Sequence, residues 1–200
     1  MRSVQLEPGS VQLWLLPPVQ VLALGGAGGR QWAARTLVAH AMGLAPEDLR
    51  IARDGRPRVA WPAKAPEFSV SHSQGWMLLG ICQGEGLGVD LEVLDRRMDP
   101  SAVWRRHFNA RESEFLDALP QEQGLAEFLR LWTRKEALLK LSGLGLQALD
   151  SLKEGAGGAW MEELVLPAGM AGALAMARAP WQVRLNVLHG PEEMLQLEVA

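Results

Sequence analysis

The chain has 200 residues, 48% of them hydrophobic and 22% charged, a composition able to fill one large domain or two packed halves. A formal net charge of −3 and a pI near 5.8 exclude a general nucleic-acid binder, which would be basic, so any bound anion must meet local clusters of Arg and Lys. The single cysteine, Cys82, cannot close an internal disulfide, and its apolar setting WMLLGIC points to a buried thiol in a reducing cytoplasm. MRSVQLEPGSVQLWLLPP lacks the pattern of a secretory signal, and no stretch reaches the roughly 20 apolar residues of a membrane span. The expectation is a soluble cytoplasmic protein with neither nucleic acid nor membrane as partner.

Residues 11–24 hold two apolar runs split by Pro17 and Pro18, which predict an early strand or two. GGAGG at 25–29 is a joint, and helical composition over 30–43 ends at Gly43. ARDGRP at 52–57 is a turn, leading through an extended segment to FSVSHS at 68–73, which reads as a turn before a buried strand. That strand is WMLLGIC at 76–82, apolar on both faces. GEG then turns the chain into GLGVDLEV at 86–93, and a hairpin of the two strands is expected.

After Pro100, helical patterns cover 101–118 and 124–141, followed by GLGLQALDSL as a loop and short extended piece. A Gly/Ala-rich linker at 155–159 precedes strands near 160–166, 181–188 and 194–199. Each half is helix followed by strands, so the predicted class is α+β with two similar helix-plus-antiparallel-sheet halves, 1–98 and 99–200. Tryptophans 76, 104, 132 and 160 are spaced by 28 residues, but their flanks share almost nothing, so the spacing is coincidence rather than a repeat.

In GLGVDLEV, Leu87, Val89, Leu91 and Val93 take every second place, which puts Gly88, Asp90 and Glu92 on the opposite face. The two carboxylates then lie about 7 Å apart and point the same way. A solvated strand face explains them, and so does a metal site. Helix 124–141 adds a third acid. Leu125, Phe128, Leu129, Trp132 and Leu139 define its inward face, and Glu136 falls on that stripe. A carboxylate there is costly unless paired or bound to a cation. Lys140, one turn on, offers an ordinary intrahelical ion pair. Taken together, Asp90, Glu92 and Glu136 supply three hard oxygen ligands, a set that suits Mg²⁺ and leaves room for substrate phosphates. Zinc is excluded, because the one Cys and four His show no ligand spacing. Ser71, His72 and Ser73 form either a plain capped turn or a phosphate-binding one. Arg53 and Arg56 in IARDGRP form either a surface turn or a local anion site.

These pieces line up. GRP at 55–57, SVSHS at 69–73, GVDLE at 88–92, FNARE at 108–112 and WTRKEALLKLSG at 132–143 follow one another in an order and spacing that resembles the Sfp-type 4′-phosphopantetheinyl transferases. The resemblance covers about residues 51–150. It implies a pseudo-dimeric α+β fold with the active site between the halves. It implies the reaction as well: phosphopantetheine passes from coenzyme A to a serine of an acyl or peptidyl carrier protein. By the same resemblance Asp90, Glu92 and Glu136 are Mg²⁺ ligands, and Lys140, with Lys135 more weakly, contacts the pyrophosphate. Ser71 and His72 receive coenzyme A phosphates. Arg56 replaces the family's Lys in Gly-Lys-Pro, with Arg53 beside it, and Arg30 stands in for the basic residues usual before the first helix. Glu136 is the favoured base for the carrier serine, with a metal-bound water as the alternative, and Gly88 keeps its strand slim where pyrophosphate approaches.

Two other functions fit parts of the pattern: a Mg²⁺-dependent phosphohydrolase using the same three acids, and a carrier-binding module without catalysis. Trp104, Arg105 and Arg106 are one candidate docking face for an acidic carrier, and the segment after Gly143 is another. Paired halves within one chain predict a monomer.

Overall fold

The computed structural model describes residues 6–25, 28–52, 58–61, 65–84, 86–94, 99–145, 148–149 and 158–188. Strand β1 (Ser10–Leu16) is buried along its whole length because its two faces enter different cores. Trp14 and Leu16 join one cluster; Val11, Leu13 and Leu15 join another. The second apolar run is a helix, not a strand: α1 spans Pro18–Gly25, with Pro18 at the start, where its missing N–H interrupts no helical bond. Helix α2 (Gly29–Met42) follows and ends on Gly43, left-handed at φ 66°, as predicted. Beyond a 3-10 turn at Pro46–Asp48, β2 (Arg50–Ala52) and β3 (Arg58–Trp61) form a two-stranded sheet.

Residues 67–73 form a strand rather than a turn. Strand β4 (Glu67–Ser73) connects to β5 (Trp76–Cys82) through Gln74 and Gly75, both at positive φ, the geometry of a tight two-residue hairpin. Serine and histidine are weak strand formers, which disguises the period-two pattern of Phe68 and Val70. The expected hairpin of 76–82 with 87–93 does not form. Strand β5 already pairs with β4 on one side and β1 on the other. Strand β6 (Leu87–Val93) instead pairs with β8 (Met170–Met176), which pairs with β7 (Trp160–Glu163).

The sheets are thus β4-β5-β1-β9 and β6-β8-β7, with β9 (Gln182–Val187) parallel to β1 and the other pairings antiparallel. Strand β8 is missing from the prediction because MAGALAM carries no β-branched residue. Its alanines answer to a neighbour, since Ala173 and Ala175 pack under Ala137 and Leu138 of a long helix.

The predicted helix over 101–118 is two. Helix α3 (Ser101–His107) stops before Asn109, whose side chain accepts from the Glu112 N–H and opens α4 (Ala110–Asp117) with a capping box. Helix α5 (Gln121–Ser142) runs longer than predicted and closes on Gly143 at φ 72°. The molecule is therefore α+β in four layers: α2, the first sheet, the second sheet, and α5. Leu13, Leu15 and Leu78 meet Leu87, Val89 and Leu174 between the sheets. A fully buried leucine of this kind contributes about 1.5–3 kcal/mol. No described helix is long and apolar enough to cross a membrane. The strand expected near 194–199 and residues 155–157 of the linker lie outside the described residues.

Candidate active site

The two sheets meet edge to edge as well as face to face. Strands β4 and β6 are edge strands of their sheets, and a line of serines joins them. Ser69 Oγ accepts from the Val89 N–H at 3.1 Å, and Ser73 Oγ accepts from the Val93 N–H at 3.2 Å. Ser71 Oγ donates to Asp90 Oδ1 at 2.6 Å, and Ser73 Oγ donates to Glu92 Oε2 at 2.7 Å. The three serines are buried at alternate positions of β4, so one strand face supplies the whole seam. The sequence carries that signal as S-x-S-x-S, but a hydroxyl stripe becomes legible only once its partner strand is known.

Across β6 lies α5. Gly88 sits where the helix crosses: a Cβ there would overlap the Ala137 carbonyl oxygen and come within 2.6 Å of the Leu141 nitrogen. Gly88 makes room for helix backbone, not for pyrophosphate. This close approach brings the α5 side chains over the acids of β6. Asp90 is only 2% exposed, which rules out the solvated strand face. Its Oδ1 accepts from Lys140 Nζ at 2.6 Å as well as from Ser71, while the buried Oδ2 has no hydrogen-bond partner among the described residues. Lys140 stands 3.9 Å from Glu136, so it serves Asp90 first and its own helix second.

Glu136 carries the strongest electrostatic signature. Burial pushes its pKa up from the usual 4.5 to about 7, the charge of Asp90 pushes the same way, and Glu92 adds to it. Lys140 and a hydrogen bond from Trp132 pull it partly back. A carboxyl poised near neutrality, beside two other acids and one ammonium, can take or give a proton at physiological pH. Among the described residues, no three His, Cys, Asp or Glu side chains converge closely enough to hold a metal as they stand. The donor set nonetheless fits a hard cation. Asp90 Oδ2 is an orphaned buried acceptor, and Glu136 resists ionising in the field of its neighbours, a resistance added positive charge would remove.

The other predicted residues fall as follows. His72 is exposed, on the face of β4 opposite Ser71, so the two side chains diverge. Lys135 has a different partner from the one expected. It is buried, 3.0 Å from Glu112 and 4.8 Å from the Phe108 ring centroid, where it ties α5 to the capping box of α4. That tie accounts for FNARE in the motif series. Trp104 is core, its indole N–H donating to Asp117, and the exposed Arg105 pairs with the same aspartate. Arg53 and Arg56 lie outside the described residues. Arg30 is exposed, and a cleft of about 300 Å³ is lined by Gly28, Gln31, Trp32, Arg35 and Ile51. Arg35, not Arg30, lines it, with its guanidinium 5.4 Å from the Trp32 ring. A larger hollow of about 950 Å³ between Leu94 and α3–α5 contains none of the three acids.

Comparison with known proteins agrees with this arrangement. The pattern of the 4′-phosphopantetheinyl transferase superfamily matches residues 86–169, the stretch that holds β6 and α5. The 4′-phosphopantetheinyl transferase HetI of Nostoc sp. is 32% identical over 123 residues, covering 60% of this chain and 52% of HetI. The 4′-phosphopantetheinyl transferase AcpT of Escherichia coli K12 is 34% identical over 134 residues, 64% of this chain and 66% of AcpT. A Bacillus subtilis 4′-phosphopantetheinyl transferase is 32% identical over 123 residues, 58% of this chain and 52% of its own length. The chain thus spans between about half and two-thirds of these relatives. Through its 86–169 domain, the chain belongs to the 4′-phosphopantetheinyl transferase superfamily.

Proposed function

We propose that this protein transfers 4′-phosphopantetheine from coenzyme A to a serine hydroxyl of an acyl or peptidyl carrier protein. The observation that carries the reading is Glu136, a buried carboxyl held near neutrality beside Asp90, Glu92 and Lys140. In the reaction the serine oxygen bonds to the phosphorus bearing pantetheine. The pyrophosphate P–O bond breaks, and adenosine 3′,5′-bisphosphate leaves with the electron pair. Glu136, the acid that shares Lys140 with Asp90, takes the serine proton. Asp90, Glu92 and Glu136 would hold Mg²⁺, which when bound neutralises charge building on the leaving bisphosphate. Lys140 adds a fixed positive charge to the same place, its side chain 27% exposed while one bond anchors it to Asp90.

In this reading, residues 1–98 bring the coenzyme-binding groups and the first two acids. Arg35 and Trp32 offer a cation and an aromatic face to the anionic coenzyme, and exposed His72 offers a second donor. Residues 99–200 bring α5 and the docking surface, for which exposed Leu144 past the end of α5 is the better candidate. Cytoplasmic location and a monomer complete the proposal, in keeping with the single, buried cysteine Cys82.

The test is incubation with Mg²⁺, coenzyme A and a panel of apo carrier proteins, read by intact-protein mass spectrometry with and without a chelator. A phosphopantetheine mass gain abolished by chelation is expected. Hydrolysis of coenzyme A with no gain on any carrier would replace the transferase by a phosphohydrolase.

A further inference from the structure

The seam between the sheets does more than join them. Of its three serines, Ser69 touches main chain alone, whereas Ser71 and Ser73 each end on a carboxylate. These two carboxylates are on β6 of the other sheet, and a buried hydroxyl from a neighbouring strand narrows the rotamers open to each. We propose that Ser71 and Ser73 are positioning residues that preset Asp90 and Glu92 for a divalent cation, and that Asp90 Oδ2 is the oxygen presented to it. The assignment of the oxygen follows from valence. Oδ1 is committed to two donors, Ser71 at 2.6 Å and Lys140 at 2.6 Å, while Oδ2 has none among the described residues. Glu92 Oε2 is held by Ser73 in the same way.

The inference rests on the metal reading above and adds to it a role for the first sheet. That sheet contributes no carboxylate to the site, yet its edge strand sets the direction of two. Groups that orient a metal ligand through a hydrogen bond typically change metal affinity about 10- to 100-fold when removed.

Ser69 supplies an internal control. Ser69→Ala and Ser73→Ala each delete a hydroxyl that accepts from a β6 N–H, but only Ser73 also touches a carboxylate. The experiment is direct titration with Mn²⁺ followed by electron paramagnetic resonance, without coenzyme A or carrier, alongside thermal unfolding of each variant. Ser71→Ala and Ser73→Ala are expected to weaken Mn²⁺ binding by about tenfold or more. Ser69→Ala should bind as the parent does while still losing stability with its bond to the Val89 N–H, and Ser73→Thr should recover most of the affinity. Equal weakening in Ser69→Ala and Ser73→Ala would overturn the proposal, because it would reduce the serines to a general seam. Unchanged affinity in Ser71→Ala and Ser73→Ala would overturn it too, leaving the metal reading intact. A parent protein that binds no Mn²⁺ would end both.

Discussion

Helix α5 carries two charged clusters, and they obey opposite physics. Toward its middle, Arg130 bonds Glu127 at 2.8 Å and Glu163 at 2.9 Å, and Arg134 reaches Glu163 at 3.2 Å. These side chains remain 31–46% exposed, water screens them, and such pairs contribute little. One to two turns further on, Glu136 and Lys140 face β6, where Asp90 is 2% exposed. There a single bond is far stronger, and an acid that lacks full compensation must shift its pKa, as Glu136 does. Acid–base pairs thus serve as solvated decoration in one place and as a buried, strained cluster in the other. The difference is the closeness of β6, and Gly88 sets that closeness.

The sharpest way to break this contrast is to push the helix away. Gly88→Ala places a methyl group into backbone atoms of α5 that no rotamer change can move. It should cost more than about 4 kcal/mol or prevent folding, measured by chemical denaturation. Removing the cation is next. Lys140→Met leaves Asp90 buried without its ammonium and should cost about 2–3 kcal/mol, a figure reduced from the fully buried case because Lys140 is partly exposed.

Glu136→Gln tests the pKa itself and has the opposite sign. A carboxyl whose folded value is raised stabilises fully below its unfolded value of about 4.5, and that contribution disappears as pH climbs through about 7. In metal-free buffer Glu136→Gln should therefore match the parent near pH 4 and be more stable above pH 7, by about 1–3 kcal/mol. A parent-like curve at all pH values would place Glu136 in water. Arg130→Ala, from the exposed cluster, should cost under about 1 kcal/mol and less in high salt.

Much of this contrast is legible in the residues. The alternation of Leu87, Val89 and Leu91 names the face of β6 that meets the first sheet, and the misplaced acid on the stripe of Phe128, Leu129 and Leu139 names Glu136. Pairing is not legible. Whether β6 joins β5 or β8 depends on edges already taken by β1 and β4, a non-local fact. Strand β8 hides because alanines chosen to fit under α5 have no strand preference. Lys135 misleads for a related reason. It adjoins Glu136 in sequence, but neighbouring helix positions point about 100° apart, and Lys135 turns to Glu112 instead. Ser73 and Glu92 lie nineteen positions apart, and their hydrogen bond exists only because two sheet edges meet.

The central claim is that the buried acid cluster, and Glu136 within it, performs phosphopantetheine transfer. Single-turnover transfer to an apo carrier protein, followed by intact mass, tests it with the parent and Glu136→Gln at equal Mg²⁺ and coenzyme A. The account predicts mass gain on the carrier with the parent and nearly none with a Glu136→Gln protein that unfolds no earlier. Parent-like transfer by Glu136→Gln would contradict it.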